Sequence, residues 1–168
     1  MEGVSRIIVL YTVLWGFFCY PAGSLAFEKA DRVLVIKSSS TLILKKGDTV
    51  LKSCHVVFGA HPKGHKQQEG DERTPEGRYT LDYKKSDSAF YKAIHVSYPN
   101  DEDRKQARKA GVSPGGAIMI HGQKNGWGWL SPIAQLFNWT NGCIALSNAD
   151  MQAVWDAVDA GTPIEIEP

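Results

Sequence analysis

The sequence predicts a mainly β domain, a sandwich-like mixed sheet with one surface helix and a C-terminal amphipathic helix. Three observations carry that expectation. Short β-rich runs recur between Gly, Pro, Ser and Asp turns, and a single helical apolar repeat stands near the C-terminus. The 168 residues are 43% hydrophobic and 22% charged, which describes one globular domain with a real core. A net charge of +1 excludes a nucleic-acid binder built on bulk charge and an acidic solvating protein. Three cysteines, Cys19, Cys54 and Cys143, are too few for a disulfide scaffold and make no zinc-type pair, so any cysteine chemistry comes from one thiol or one bridge.

Residues 7–20 form an uncharged apolar run, preceded by Arg6 and followed by Pro-Ala-Gly-Ser-Leu-Ala. That pattern predicts a secretory signal over residues 1–26, cleaved after Ala26, with the domain over 27–168. The run is short for a membrane span, and the competing reading is an uncleaved anchor, the one case in which the protein would stay on a membrane. Residues 33–36 and 42–44 predict an opening hairpin, with Lys46-Gly47-Asp48 as the next turn and a third strand over 50–58. Residues 59–77 carry Gly, Pro and charges without apolar periodicity, the mark of a long functional or mobile loop. Further strands are expected at 78–83, 93–98 and 117–120. Asn100 opens a surface helix over 100–111, with acids first, bases later and Gly111 at its end. Acids beside its bases and the lack of interleaved aromatics argue against nucleic acid there. Met151, Val154, Trp155 and Val158 define the amphipathic helix over 148–160, ended by Gly161 and Pro163 before a last strand at 163–166.

The segment richest in chemistry is Ile118-Met119-Ile120-His121-Gly122, followed 22 positions after His121 by Cys143 within Trp139-Thr140-Asn141-Gly142-Cys143-Ile144-Ala145. A thiol titrates near 8.5, so attack at neutral pH needs a base, and an imidazole is the usual one. His121, at a strand end, is the candidate, with the Gly122 carbonyl able to orient its other ring nitrogen. Gly142 leaves room for a substrate carbonyl, and backbone N–H groups of this turn could form an oxyanion hole. On these residues alone, an inert buried cysteine and a merely hydrogen-bonded histidine compete with catalysis.

Residues 118–148 resemble the signature of the L,D-transpeptidase catalytic domain, the YkuD-like family, with its His-Gly and Gly-Cys turn. Gly70-Asp71-Glu72-Arg73-Thr74-Pro75-Glu76-Gly77 is similar to a second family motif, and residues 33–59 resemble its opening hairpin and strand. The resemblance implies a β-rich catalytic domain in which Cys143 attacks a peptide carbonyl, His121 moves the proton, and the Gly142 and Cys143 amides hold the oxyanion. It implies peptidoglycan stem peptides as substrate, no cofactor, carbapenems as covalent inhibitors, and a periplasmic or cell-wall location. Many members carry His before the Gly-Cys pair and Arg two residues after the Cys, where this chain has Asn141 and Ala145. The motif here is similar to a variant with Trp-Thr-x-Gly-Cys-Ile-Ala.

Arg73, Trp139 and Asn141 are the candidate substrate contacts, Arg73 because a guanidinium beside Thr74-Pro75 can take a carboxylate bidentately. A metal site at His61 and His65 is disfavoured by Pro62 and Gly64, and His55 and His95 fall in strand patterns without a partner. The competing functions are a carboxypeptidase of the same bond and a catalytically silent peptidoglycan-binding module. A Cys54–Cys143 disulfide is the competing fate of the thiol in an oxidising compartment.

Overall fold

The computed structural model describes residues 28–168. The predicted signal and its cleavage point therefore lie outside the described residues. Eight strands form one mixed sheet: β1 (Arg32–Ile36), β2 (Thr41–Lys46), β3 (Thr49–His55), β4 (Gly77–Lys85), β5 (Ala93–Val96), β6 (Met119–His121), β7 (Ile144–Ala145) and β8 (Thr162–Glu167). Their order across the sheet is β3-β2-β1-β8-β4-β5-β6-β7. Of these strand pairs, β1/β8 and β6/β7 are parallel and the rest antiparallel. The expected sandwich is this single sheet curled on itself. Beyond His55 the chain leaves β2 and pairs with the far edge, Val57 N–H to Ala145 O at 3.0 Å and Ala145 N–H to Val57 O at 2.8 Å. The edge left by β7 is thus met by the segment that follows β3, which gives the Ala145 backbone groups partners and draws β7 into the middle of the fold.

Alternation along the strands fills the interior. Val33, Val35, Leu42, Leu44, Leu81, Ile94, Val96, Ile164 and Ile166 are all buried in one cluster. Helix α3 (Asn148–Ala157) adds Met151, Val154 and Ala157, with Val158 just beyond it. Its helical repeat is the expected one, but it ends before 160 because Val158 turns extended at φ −102° and ψ 134°. Trp155 lies at the margin of the core, with the Lys84 and Lys92 ammonium groups 4.9 and 5.1 Å from its ring centroid. Helix α1 (Asp101–Ala110) is capped as its sequence suggests: the Asn100 side chain accepts from the Glu102 and Asp103 N–H groups, and left-handed Gly111 ends it. The sequence had not suggested the 3-10 turn Gly128–Leu130 or the one-turn α2 (Ser131–Ala134). Among the described residues no helix is long and apolar enough to cross a membrane.

Candidate active site

The parallel pairing of β6 with β7 puts Ile120 opposite Ile144 and His121 opposite Ala145. Successive side chains alternate faces, so Ile120 and Ile144 enter the core. Cys143, one residue ahead of Ile144, falls on the face shared by Met119 and His121. The pleat thus places the thiol and the imidazole on one face of the sheet although 22 residues separate them.

His121 is buried, and its Nδ1 lies 2.6 Å from the Gly122 carbonyl. A carbonyl only accepts, so the proton sits on Nδ1 and Nε2 is left as the basic nitrogen. The ring is walled by Phe90 at 4.8 Å and Trp139 at 5.9 Å between centroids. Burial pushes its pKa below the ordinary 6.5, with the Gly122 hydrogen bond opposing. A side chain at Gly122 has no room, because a Cβ would stand 2.7 Å from Asn148 Oδ1 and 2.9 Å from Tyr91 O.

The Cys143 thiol donates toward Ala117 O at 3.7 Å. Burial raises its pKa above 9, opposed by the Met119 N–H and by the charge of Lys66. Both shifts favour a neutral thiol and a neutral imidazole.

Gly142 is required by its surroundings: φ is +123°, and a Cβ would lie 2.6 Å from Arg73 O. That contact seats the loop 59–77 directly on the Gly142-Cys143 turn. One expectation needs correction. The Gly142 N–H is not free to hold an oxyanion, because it donates to Thr140 Oγ1 at 3.1 Å, whose own hydroxyl donates to Cys143 O at 2.7 Å. A threonine two residues before a glycine takes that amide by local bonding. Among the described residues the Cys143 N–H finds no acceptor, and it is the amide of this turn available to a substrate oxygen.

Of the three predicted substrate contacts, only Trp139 touches the His121 ring. Asn141 is exposed and lines a cavity of about 380 Å³ with Lys66, Glu72 and Gly116. Arg73 lines a different, larger cavity on the outer side of the loop. Sequence reasoning missed Phe90, Lys66, Gln123 and Asn148. The last two brace the His-Gly turn: Asn148 Oδ1 accepts from Gln123 N–H at 2.8 Å, and the buried Gln123 amide donates to Leu146 O at 2.7 Å.

The other candidates have structural partners. His65 Nδ1 accepts from the Glu76 N–H at 3.0 Å and its Nε2 meets Asp103 at 3.1 Å, while His61 faces Glu72 at 3.3 Å. His55 contacts Gln135 O and His95 contacts Asp82. Among the described residues no group of three or more His, Cys, Asp or Glu could hold a metal. Cys54 and Cys143 are both free, which sets aside a disulfide between them. Burial and the neighbouring Asp150 push the Cys54 thiol up to about 12, so it stays protonated.

A single mixed sheet curled on itself, with few helices, is the fold of L,D-transpeptidase catalytic domains. The L,D-transpeptidase catalytic domain model, YkuD, matches residues 30–166, and the chain belongs to that family. It is 32% identical over 130 residues to the putative L,D-transpeptidase YafK of Escherichia coli, covering 71% of this chain and 51% of YafK. The chain thus spans about half the length of the curated relatives it matches. Among solved structures, the helical cell shape determining protein Pgp2 from Campylobacter jejuni is 26% identical, with a TM-score of 0.59 over 80% of this chain and 46% of Pgp2. An L,D-transpeptidase from Mycobacterium smegmatis shares the fold at 18% identity and a TM-score of 0.54, over 81% of this chain and 58% of its own.

Proposed function

We propose that the protein is an exported, cysteine-dependent L,D-transpeptidase acting on peptidoglycan stem peptides. The observation that supports this is that Cys143, at a glycine turn, falls on the same face as a His121 whose Nδ1–H is fixed by Gly122 and whose Nε2 is left basic. His121 Nε2 takes the thiol proton as Sγ bonds to the carbonyl carbon of the L,D-peptide link. The Cys143 N–H faces the developing oxyanion. Collapse breaks the C–N bond, and His121 returns the proton to the leaving amine of the terminal D-residue. An acceptor amine then attacks the thioester and gives its proton to His121, which restores the thiol. Trp139 and Asn141 form the rim on which the stem peptide lies. The likeness to Pgp2 supports a part in cell shape.

The test is covalent trapping. A carbapenem offers a strained carbonyl to the same thiol, and a one-to-one mass adduct on the Cys143 peptide is expected, absent in Cys143→Ala. Cys143→Ala should also lose D-alanine release from tetrapeptide muropeptides by several orders of magnitude. Because burial lowers the His121 pKa, the acid limb of kcat/KM is expected below 6.5. Undiminished release by Cys143→Ala would end the proposal.

A further inference from the structure

A cavity of about 650 Å³ that the chemistry above leaves unused is framed by Ala60, His61, Lys63, Gln67, Asp71 and Arg73. It adjoins the nucleophile turn: the Ala60 N–H donates to Thr140 O at 3.1 Å, and the Thr140 hydroxyl bonds to Cys143 O. Its charge is positive and unspent. Among the described residues, neither the half-buried Arg73 guanidinium nor the Lys63 ammonium makes an ion pair or a hydrogen bond. The cavity's carboxylate, Asp71, is already taken by Lys66 Nζ at 2.7 Å and by the Gln67, Gln68 and Arg73 N–H groups. Glu72, beside the rim, faces His61 at 3.3 Å.

Arg73 is not needed to hold the loop. Lys37 ties it through Gly64 O, Thr74 O and Glu76, Lys66 through Gln68 O and Asp71, and His65 through the Glu76 N–H and Asp103. The guanidinium instead lies over Gly64, where even a Cβ would stand only 3.7 Å from Nη1. A half-buried guanidinium with free donors, on a loop tied by other residues, is built to receive an anion.

We propose that this cavity is a carboxylate subsite in which Arg73, assisted by Lys63, holds a carboxylate of the stem peptide. This rests on the proposed function for the identity of the ligand, and specifies which chemical group of the substrate this loop reads. Two sources share that chemistry, the terminal D-alanine carboxylate and a side-branch carboxylate such as that of a γ-linked D-glutamate.

The experiment measures binding without turnover, by calorimetry on the full chain carrying Cys143→Ala with a synthetic N-acetylated tetrapeptide stem. Arg73→Gln should weaken binding at least tenfold and flatten its salt dependence. Lys63→Gln should weaken it about threefold, and Arg73→Lys should recover only part of the loss. The melting temperature of each should match the parent, since none removes a loop tie. Amidating the carboxylate that is read should reproduce the Arg73→Gln loss, and Arg73→Gln should then have no further effect. Amidation of the other carboxylate should be neutral, which separates the two sources. Unchanged affinity in Arg73→Gln, or a loss that follows a fall in melting temperature, would overturn the subsite. Carbapenem trapping of the unmodified chain reads the thiol chemistry independently. An adduct without Arg73-dependent peptide binding ends the subsite alone, whereas Arg73-dependent binding without an adduct ends the catalytic proposal and leaves the subsite standing.

Discussion

Residues 59–77 and residues 122–142 both run irregularly past Cys143, yet the first is tied by buried charge and the second, beyond Lys124, carries no charge. The Lys37 and Lys66 side chains that tie the first are 4% and 3% exposed, and both bond to carbonyls and a carboxylate of that segment. Thr74 is wholly buried and accepts the Gly59 N–H. In the second, Trp127, Trp129, Ile133, Leu136 and Phe137 are all more than half exposed. Among the described residues, the buried side-chain polar atoms without partners are Ser131 Oγ and both amide atoms of Gln135, all in this second stretch. The candidate site is thus bordered by one wall tied through buried charge and one that leaves large apolar side chains in water. The charged wall supplies the backbone against Gly142, where a small displacement would move Cys143; the apolar wall supplies Trp139 against the His121 ring.

The largest expected difference between the walls is in stability. Lys66→Met leaves Asp71 charged inside the loop without its ammonium, and breaking a buried pair in this way costs about 3–5 kcal/mol. Urea unfolding followed by tryptophan fluorescence reads it. A loss below about 1 kcal/mol would mean that the loop is held by its backbone alone, and the contrast between the walls would fail.

A smaller effect of the same wall appears at acid pH. Burial by itself raises the Asp71 carboxyl, but the hydrogen bonds from Lys66 and from the Gln67, Arg73 and Gln68 N–H groups outweigh it and bring the pKa to about 2. A carboxyl lowered on folding contributes stability above its ordinary value near 3.8 and loses it as pH falls toward 2, here about 2 kcal/mol. Asp71→Asn should unfold more easily than the parent at pH 6, with the gap closing between pH 4 and pH 2. A gap that stays constant across that range would show that the charge of Asp71 is not what ties the loop.

The sequence made the elements that frame the walls more legible than the walls themselves, and the reason is the range of the interactions. The opening hairpin, the capped α1 and the apolar face of α3 are written in neighbouring residues, so spacing alone exposes them. His121 and Cys143 were found through their motif, and the Gly122 carbonyl through adjacency. Lys37, Lys66 and His65 look in sequence like solvated charges, and only folding brings Glu76, Asp71 and Asp103 to them. β7 has two residues, too few for any period, so the closure of the sheet through Val57 left no local trace. The commitment of the Gly142 N–H to Thr140 was within reach, since a hydroxyl two residues before a glycine turn is a known competitor for that amide.

The smallest effect is expected at the apolar wall, and its smallness is what tests the comparison. Trp129 is 75% exposed, and the largest side chain in the segment therefore removes little surface from water on folding. Trp129→Ala should change unfolding free energy by no more than about 0.5 kcal/mol, as exposed substitutions away from caps, ties and core do. In a domain of this size that corresponds to a melting shift of about 2 °C or less. Release of D-alanine from soluble muropeptides should keep its kcat, because Trp129 touches neither the His121 ring nor the nucleophile turn; the walls of that ring are Phe90 and Trp139. Trp139→Ala supplies the internal control. It removes an edge contact from the buried base and should lower kcat as well as raise KM, with a raised His121 pKa as water reaches the ring, seen as an acid limb moved toward higher pH. If Trp129→Ala destabilised the protein as much as Lys66→Met, the second wall would be packed as firmly as the first and the distinction between them would be lost.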